Sequence, residues 1–116
     1  MNGAVPRHDA VARRFPRYVV DARLTVQVHR ANGTFSFWGR TSELGADGIG
    51  GTLTGELEPG EVVAMELALP LMTYPLKFRA IVRYRQGLRH GFEFLALTAQ
   101  QHASIEKVCE FLASGQ

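Results

Sequence analysis

The chain has 116 residues, 46% of them hydrophobic and 21% charged, with a formal net charge of +2. That length and balance describe one globular domain whose core needs no disulfide or metal staple. Cys109 is the single cysteine, which excludes an internal disulfide and a cysteine-based metal site and fits a reducing compartment, so a cytoplasmic location is expected. No apolar run approaches the roughly 18 residues of a membrane span, and the start, with Pro6, Arg7, His8 and Asp9, lacks the apolar stretch of a secretory signal.

Residues 1–12 read as a flexible arm, followed by a domain over 13–113. Eleven of the 13 basic residues are arginine, and Arg7, Arg13, Arg14, Arg17 and Arg23 crowd the N-terminal end. From Arg23 the chain alternates: Leu24, Val26 and Val28 face one way, Thr25, Gln27 and His29 the other, as in a half-buried strand. Asn32-Gly33 marks a hairpin turn, and Thr34 to Arg40 returns with Phe35 and Phe37 on one face. Trp38 lies on the opposite face and is expected to be covered by the arm or by a C-terminal helix.

A glycine-punctuated loop, Ser42 to Gly50, precedes a short strand over 49–54. Glu58-Pro59-Gly60-Glu61 reads as a turn, with Glu56, Glu58 and Glu61 forming a solvated acidic tip. Val62 to Leu69 is strand-like until Pro70. In the next strand Leu76, Phe78, Ala80, Val82 and Tyr84 face inward, Gln86-Gly87 turns the chain, and the return over 90–97 puts Phe92, Phe94 and Ala96 inward. Thr98 and Gln101 have the spacing of a helix capping box, and Ile105, Val108, Cys109 and Leu112 form the apolar stripe of the helix that follows. Six short strands closed by one helix predict an all-β fold, a small antiparallel barrel with a helix packed on it.

No catalytic constellation stands out, so an enzyme is not expected. His8, His29, His90 and His102 are scattered, and His29 and His90 read as outward-facing strand residues. The serines lack the flanking glycines of a nucleophile elbow, and Cys109 falls on the helix stripe as a small core residue. The glycine loop is not followed by a helix, which a phosphate loop requires to orient its N–H groups. A tight approach to a strand is the structural alternative. What remains is the pairing of an arginine cluster with an acidic glycine turn. Guanidinium groups bind phosphate and guanine edges bidentately, and a carboxylate accepts from guanine N–H groups.

Arg13 and Arg17, four residues apart just before the first strand, match the RxxxR motif of PilZ domains. Glu43-Leu44-Gly45-Ala46-Asp47-Gly48 lies where that family has (D/N)xSxxG, and the stretches around Ala80 to Arg83 and His90 to Phe94 are similar to its last hairpin. The chain therefore resembles a PilZ domain from about Arg13 to Leu112. The resemblance implies a six-stranded barrel with a C-terminal helix that binds the bacterial second messenger cyclic di-GMP, and it implies no further cofactor. Arg13, Arg14 and Arg17 would clamp guanine edges and phosphates, Glu43 and Gly45 would hold the two loop positions, and Gly48 would let the backbone come close. Two positions depart from the pattern: Glu43 reaches one methylene further than aspartate, and Gly45 removes a hydroxyl. A lost hydrogen bond to a ligand costs on the order of 1 kcal/mol.

The leading expectation is a cyclic di-GMP sensor whose arginine arm orders on binding and which acts through an unidentified effector protein. The alternative is a PilZ-like interaction adaptor that no longer binds nucleotide. Nucleic acid is disfavoured by the low net charge, and both monomer and homodimer stay open.

Overall fold

A computed structural model describes residues 15–115; the expected arm over 1–12, together with Arg13 and Arg14, lies outside the described residues. The elements are β1 (Tyr18–Arg30), β2 (Gly33–Leu44), β3 (Gly48–Leu53), β4 (Val62–Ala68), β5 (Leu76–Gln86), β6 (Arg89–Leu95) and α1 (Ala99–Ser114). The strands close into an antiparallel barrel in the order β1-β2-β3-β6-β5-β4. β4 returns onto β1 with Arg23 opposite Ala68. The expected architecture of six strands and one C-terminal helix is what forms.

Period-two patterning drives the closure. In β1, Val20, Ala22, Leu24, Val26 and Val28 are buried while Asp21 to His29 expose the alternate positions. β4 buries Val63, Met65 and Leu67, and β5 buries Leu76, Phe78, Ala80 and Val82. Gly33 takes φ 137° at the β1–β2 hairpin, a conformation that favours glycine. α1 is capped as expected: the Thr98 hydroxyl accepts from the Gln101 N–H at 3.1 Å, and the Gln101 side chain accepts from the Thr98 N–H at 3.0 Å. Ile105, Val108 and Cys109 are its buried face.

Several positions differ from expectation. β1 begins at Tyr18, and β2 runs through Leu44, which shortens the glycine loop to Gly45–Asp47. A bulge between Val82 and Tyr84 breaks the β5 alternation, so the Tyr84 ring lies on Gly91, its partner across the β5–β6 pair, instead of entering the core. Ala96 falls past β6, exposed, with φ 50°. Trp38 is 61% exposed and α1 does not cover it, while the arm lies outside the described residues.

His90 is the clearest correction, because it is fully buried. It shares the parity of Phe92 and Phe94, so an inward Phe92 requires an inward His90. The connection between β3 and β4 crosses this end of the barrel with Leu57 fully buried. The Leu57 N–H donates to His90 Nε2 at 3.0 Å, and His90 Nδ1 lies 2.8 Å from the Leu88 carbonyl. The acidic turn beside it is tied down as well. Arg30 reaches both oxygens of Glu61 at 2.9 and 2.8 Å, and Arg85 lies 3.6 Å from Glu56 and 3.4 Å from Glu58.

Candidate functional site

Arg17 stands one residue before β1, and its side chain crosses the turn between β2 and β3. Its Nη1 donates to Glu43 Oε1 at 3.1 Å, and its Nε lies 3.6 Å from Asp47 Oδ1. The turn is held locally by the Gly45 N–H donating to the Gly48 carbonyl at 2.9 Å. It is held against β6 by the Phe94 N–H donating to the Asp47 carbonyl at 2.9 Å. Gly48 opens β3 opposite Glu93, and a Cβ there would collide with the Phe92 carbonyl oxygen. The close approach of two strands therefore requires glycine at 48, as the structural alternative held.

Glu43 lies at the centre. One carboxylate oxygen takes Arg17; the other lies 3.4 Å from Arg89 Nη2, while Arg89 Nη1 donates to the Ser42 hydroxyl at 3.1 Å. Ser42 in turn donates to the Gly50 carbonyl at 3.3 Å. Beneath these side chains the barrel wall carries glycine at Gly50 and at Gly91 opposite it on β6, with the Tyr84 ring over Gly91. The result is a shallow, side-chain-poor strip bordered by two guanidinium groups, two carboxylates and one aromatic ring. Such a surface can exchange hydrogen bonds with a planar base or a phosphodiester.

Burial sharpens the electrostatics. The side chains of Arg17, Glu43 and Asp47 are 13%, 21% and 31% exposed. Arg17 Nε and Asp47 Oδ1 are buried with no hydrogen-bond partner, because their 3.6 Å separation is too long for a bond. An unsatisfied buried donor or acceptor costs about 1–3 kcal/mol, so the pocket holds hydrogen-bonding capacity that its own groups do not use. Phe15, Pro16, Tyr18 and Ala46 line a cavity of about 280 Å³ with Glu106, Cys109 and Glu110 of α1. Burial pushes the Cys109 thiol above its ordinary value, with Glu106 adding to the shift and Arg17 opposing it.

Of the residues singled out in the sequence, Arg17, Glu43, Gly45 and Gly48 meet at this one place. Arg13 and Arg14 lie outside the described residues. Asp47, from the same acidic glycine turn, joins them, and Arg89 and Tyr84 arrive without having been expected. The sequence offers no signal for Arg89, whose place follows from Thr52 pairing with it across β3 and β6. Among the described residues no group of three His, Cys, Asp or Glu side chains is placed to hold a metal ion. No helix among them is long and apolar enough to cross a membrane.

A family model described as PilZ domain matches residues 12–111. No curated protein matches the chain. Among solved structures, the PilZ domain with c-di-GMP of YcgR from Escherichia coli is similar with a TM-score of 0.69 and 17% identity, covering 90% of this chain and 93% of that one. The PilZ domain of CeSA from a cellulose-synthesizing bacterium gives a TM-score of 0.61 and 19% identity, covering 80% of this chain and 93% of that one. The Bacillus subtilis inhibitor of motility, MotI/DgrA, gives 0.73 and 15%, covering 97% of this chain but only 54% of its own. At such identities the likeness is one of fold.

Proposed function

This chain belongs to the PilZ domain family, and on that premise we propose that it is a cyclic di-GMP-binding signalling domain and not an enzyme. The carrying observation is the meeting of Arg17, Glu43 and the Gly45–Gly48 turn, with Arg17 and Glu43 26 residues apart in sequence. They meet on a fold like that of the YcgR domain solved with c-di-GMP. In this reading Arg17 takes a phosphate or a guanine edge, with Arg13 and Arg14 beside it. Glu43 accepts from guanine N–H groups, Gly45 holds the second loop position, and Gly48 keeps the floor low enough for the ligand to touch backbone. Residues 13–113 form the binding domain, and residues 1–12 form an arm that orders when ligand arrives. Ordering a segment changes the surface offered to a partner, so the output passes to an effector protein, in the cytoplasm, from a monomer or homodimer.

Calorimetry with cyclic di-GMP tests the reading. Heat of binding that disappears in Arg17→Ala is the expected result. Silence at about 100 µM ligand, a limit near 5.5 kcal/mol of binding free energy, removes it. One observation favours a second reading, an adaptor that takes no nucleotide: Arg17 is already engaged with Glu43 and Asp47. That reading predicts the silent titration together with an unchanged, folded domain.

A further inference from the structure

Resting on the nucleotide-binding reading above, we propose that Arg17 is self-masked: Glu43 and Asp47 hold its guanidinium in an internal ion cage that an anionic phosphodiester must open. Gly45 is the residue that allows the cage to form.

Gly45 and Gly50 leave the space that the caged side chains fill, while Gly48 is required first by the Phe92 carbonyl. A Cβ at position 45 would stand 2.6 Å from Arg17 Cδ, 2.8 Å from its Nε and 2.9 Å from the Pro16 carbonyl oxygen. A Cβ at position 50 would stand 2.9 Å from Glu43 Cγ, and one at 48 would stand 3.2 Å from Arg17 Nη2. A methyl group at 45 and the observed Arg17 position therefore exclude one another unless the neighbours move. Gly45 has no positive φ, so its role is space and not backbone conformation.

The cage holds Arg17 without satisfying it. Glu43 divides its two oxygens between Arg17 and Arg89. Asp47 contributes charge at 3.6 Å but no hydrogen bond, and both atoms of that contact are buried without a bonding partner. A phosphate oxygen can give Nε the bond that Asp47 does not. Ligand and cage thus compete for one guanidinium, and the apparent affinity is the intrinsic affinity scaled by the fraction of molecules with the cage open. The carboxylate of Asp47 can be replaced without touching the turn, because the turn is anchored by the Asp47 carbonyl.

The test uses the full chain as wild type, Asp47→Asn and Gly45→Ala, with two readouts. Arginine modification by phenylglyoxal, read peptide by peptide with exposed Arg79 as internal reference, reports whether Arg17 is masked without any ligand. Titration with cyclic di-GMP reports whether unmasking helps binding. Both variants are expected to label Arg17 faster and to bind about threefold to thirtyfold more tightly, equivalent to roughly 0.7–2 kcal/mol. Gly45→Ala supplies no hydroxyl, so tightening there comes from release of Arg17 alone. Unchanged labelling in both variants overturns the cage, as does equal nucleotide affinity in all three proteins. Faster labelling with no nucleotide bound by any of them supports the cage and removes the cyclic di-GMP reading instead. Should Gly45→Ala fail to fold, Asp47→Asn alone decides.

Discussion

His90 offers a direct check on how the barrel end is closed. The ring is fully buried, with Nδ1 2.8 Å from the Leu88 carbonyl and Nε2 3.0 Å from the Leu57 N–H. Facing an acceptor on one side and a donor on the other, the imidazole must be neutral with its proton on Nδ1. His90→Ala orphans two buried backbone groups, at about 1–3 kcal/mol each, and leaves a cavity. A loss of about 3–5 kcal/mol is expected, a large part of the roughly 5–15 kcal/mol that stabilises a domain. Acid acts on the same contact. Burial holds the imidazole below its ordinary value of 6.5; Arg85 adds to this, while the Leu88 hydrogen bond, Glu56 and Glu58 oppose it. Below pH 6.5 the unfolded chain takes up a proton that the folded one refuses, so stability is full above that pH and falls as pH drops toward the folded value. The limiting slope is about 1.4 kcal/mol per pH unit. His90→Gln keeps one donor and one acceptor but does not titrate. Urea unfolding of both proteins between pH 7.5 and 5 should show a steeper loss in wild type. Parallel profiles would refute the neutral, doubly bonded imidazole.

Leu57→Ala empties the plug of the same barrel end and should cost about 2–5 kcal/mol, read as a lower urea midpoint. The Glu61 carboxyl is held below its ordinary 4.5, chiefly by its Arg30 hydrogen bonds, so its contribution is present above that pH and is lost on acidification. Glu61→Gln should therefore lower the midpoint at pH 7 and flatten the acid limb at pH 3.5 relative to wild type. Trp38→Ala should change stability by less than about 0.5 kcal/mol, because the side chain is 61% exposed. A larger loss in thermal melts would mean that the indole is covered.

The barrel was legible because its cause is local. Alternation in Leu24 to Val28 and Leu76 to Val82, the Asn32-Gly33 turn and the Thr98–Gln101 cap each act within a few residues, and each formed as the sequence predicts. Arg17 and Glu43 were legible as chemistry, since an arginine cluster and an acidic glycine turn are visible as residue types. Their engagement with one another was not, nor were Asp47's share in it, Arg89's arrival from β6, or the Tyr84 ring over Gly91. A single bulge between Val82 and Tyr84 reverses which face a side chain takes, and periodicity carries no sign of it. Local sequence sets which way each residue points along its own strand. Which side chains then share a space depends on strand order and register around the closed barrel, and only the folded chain decides that.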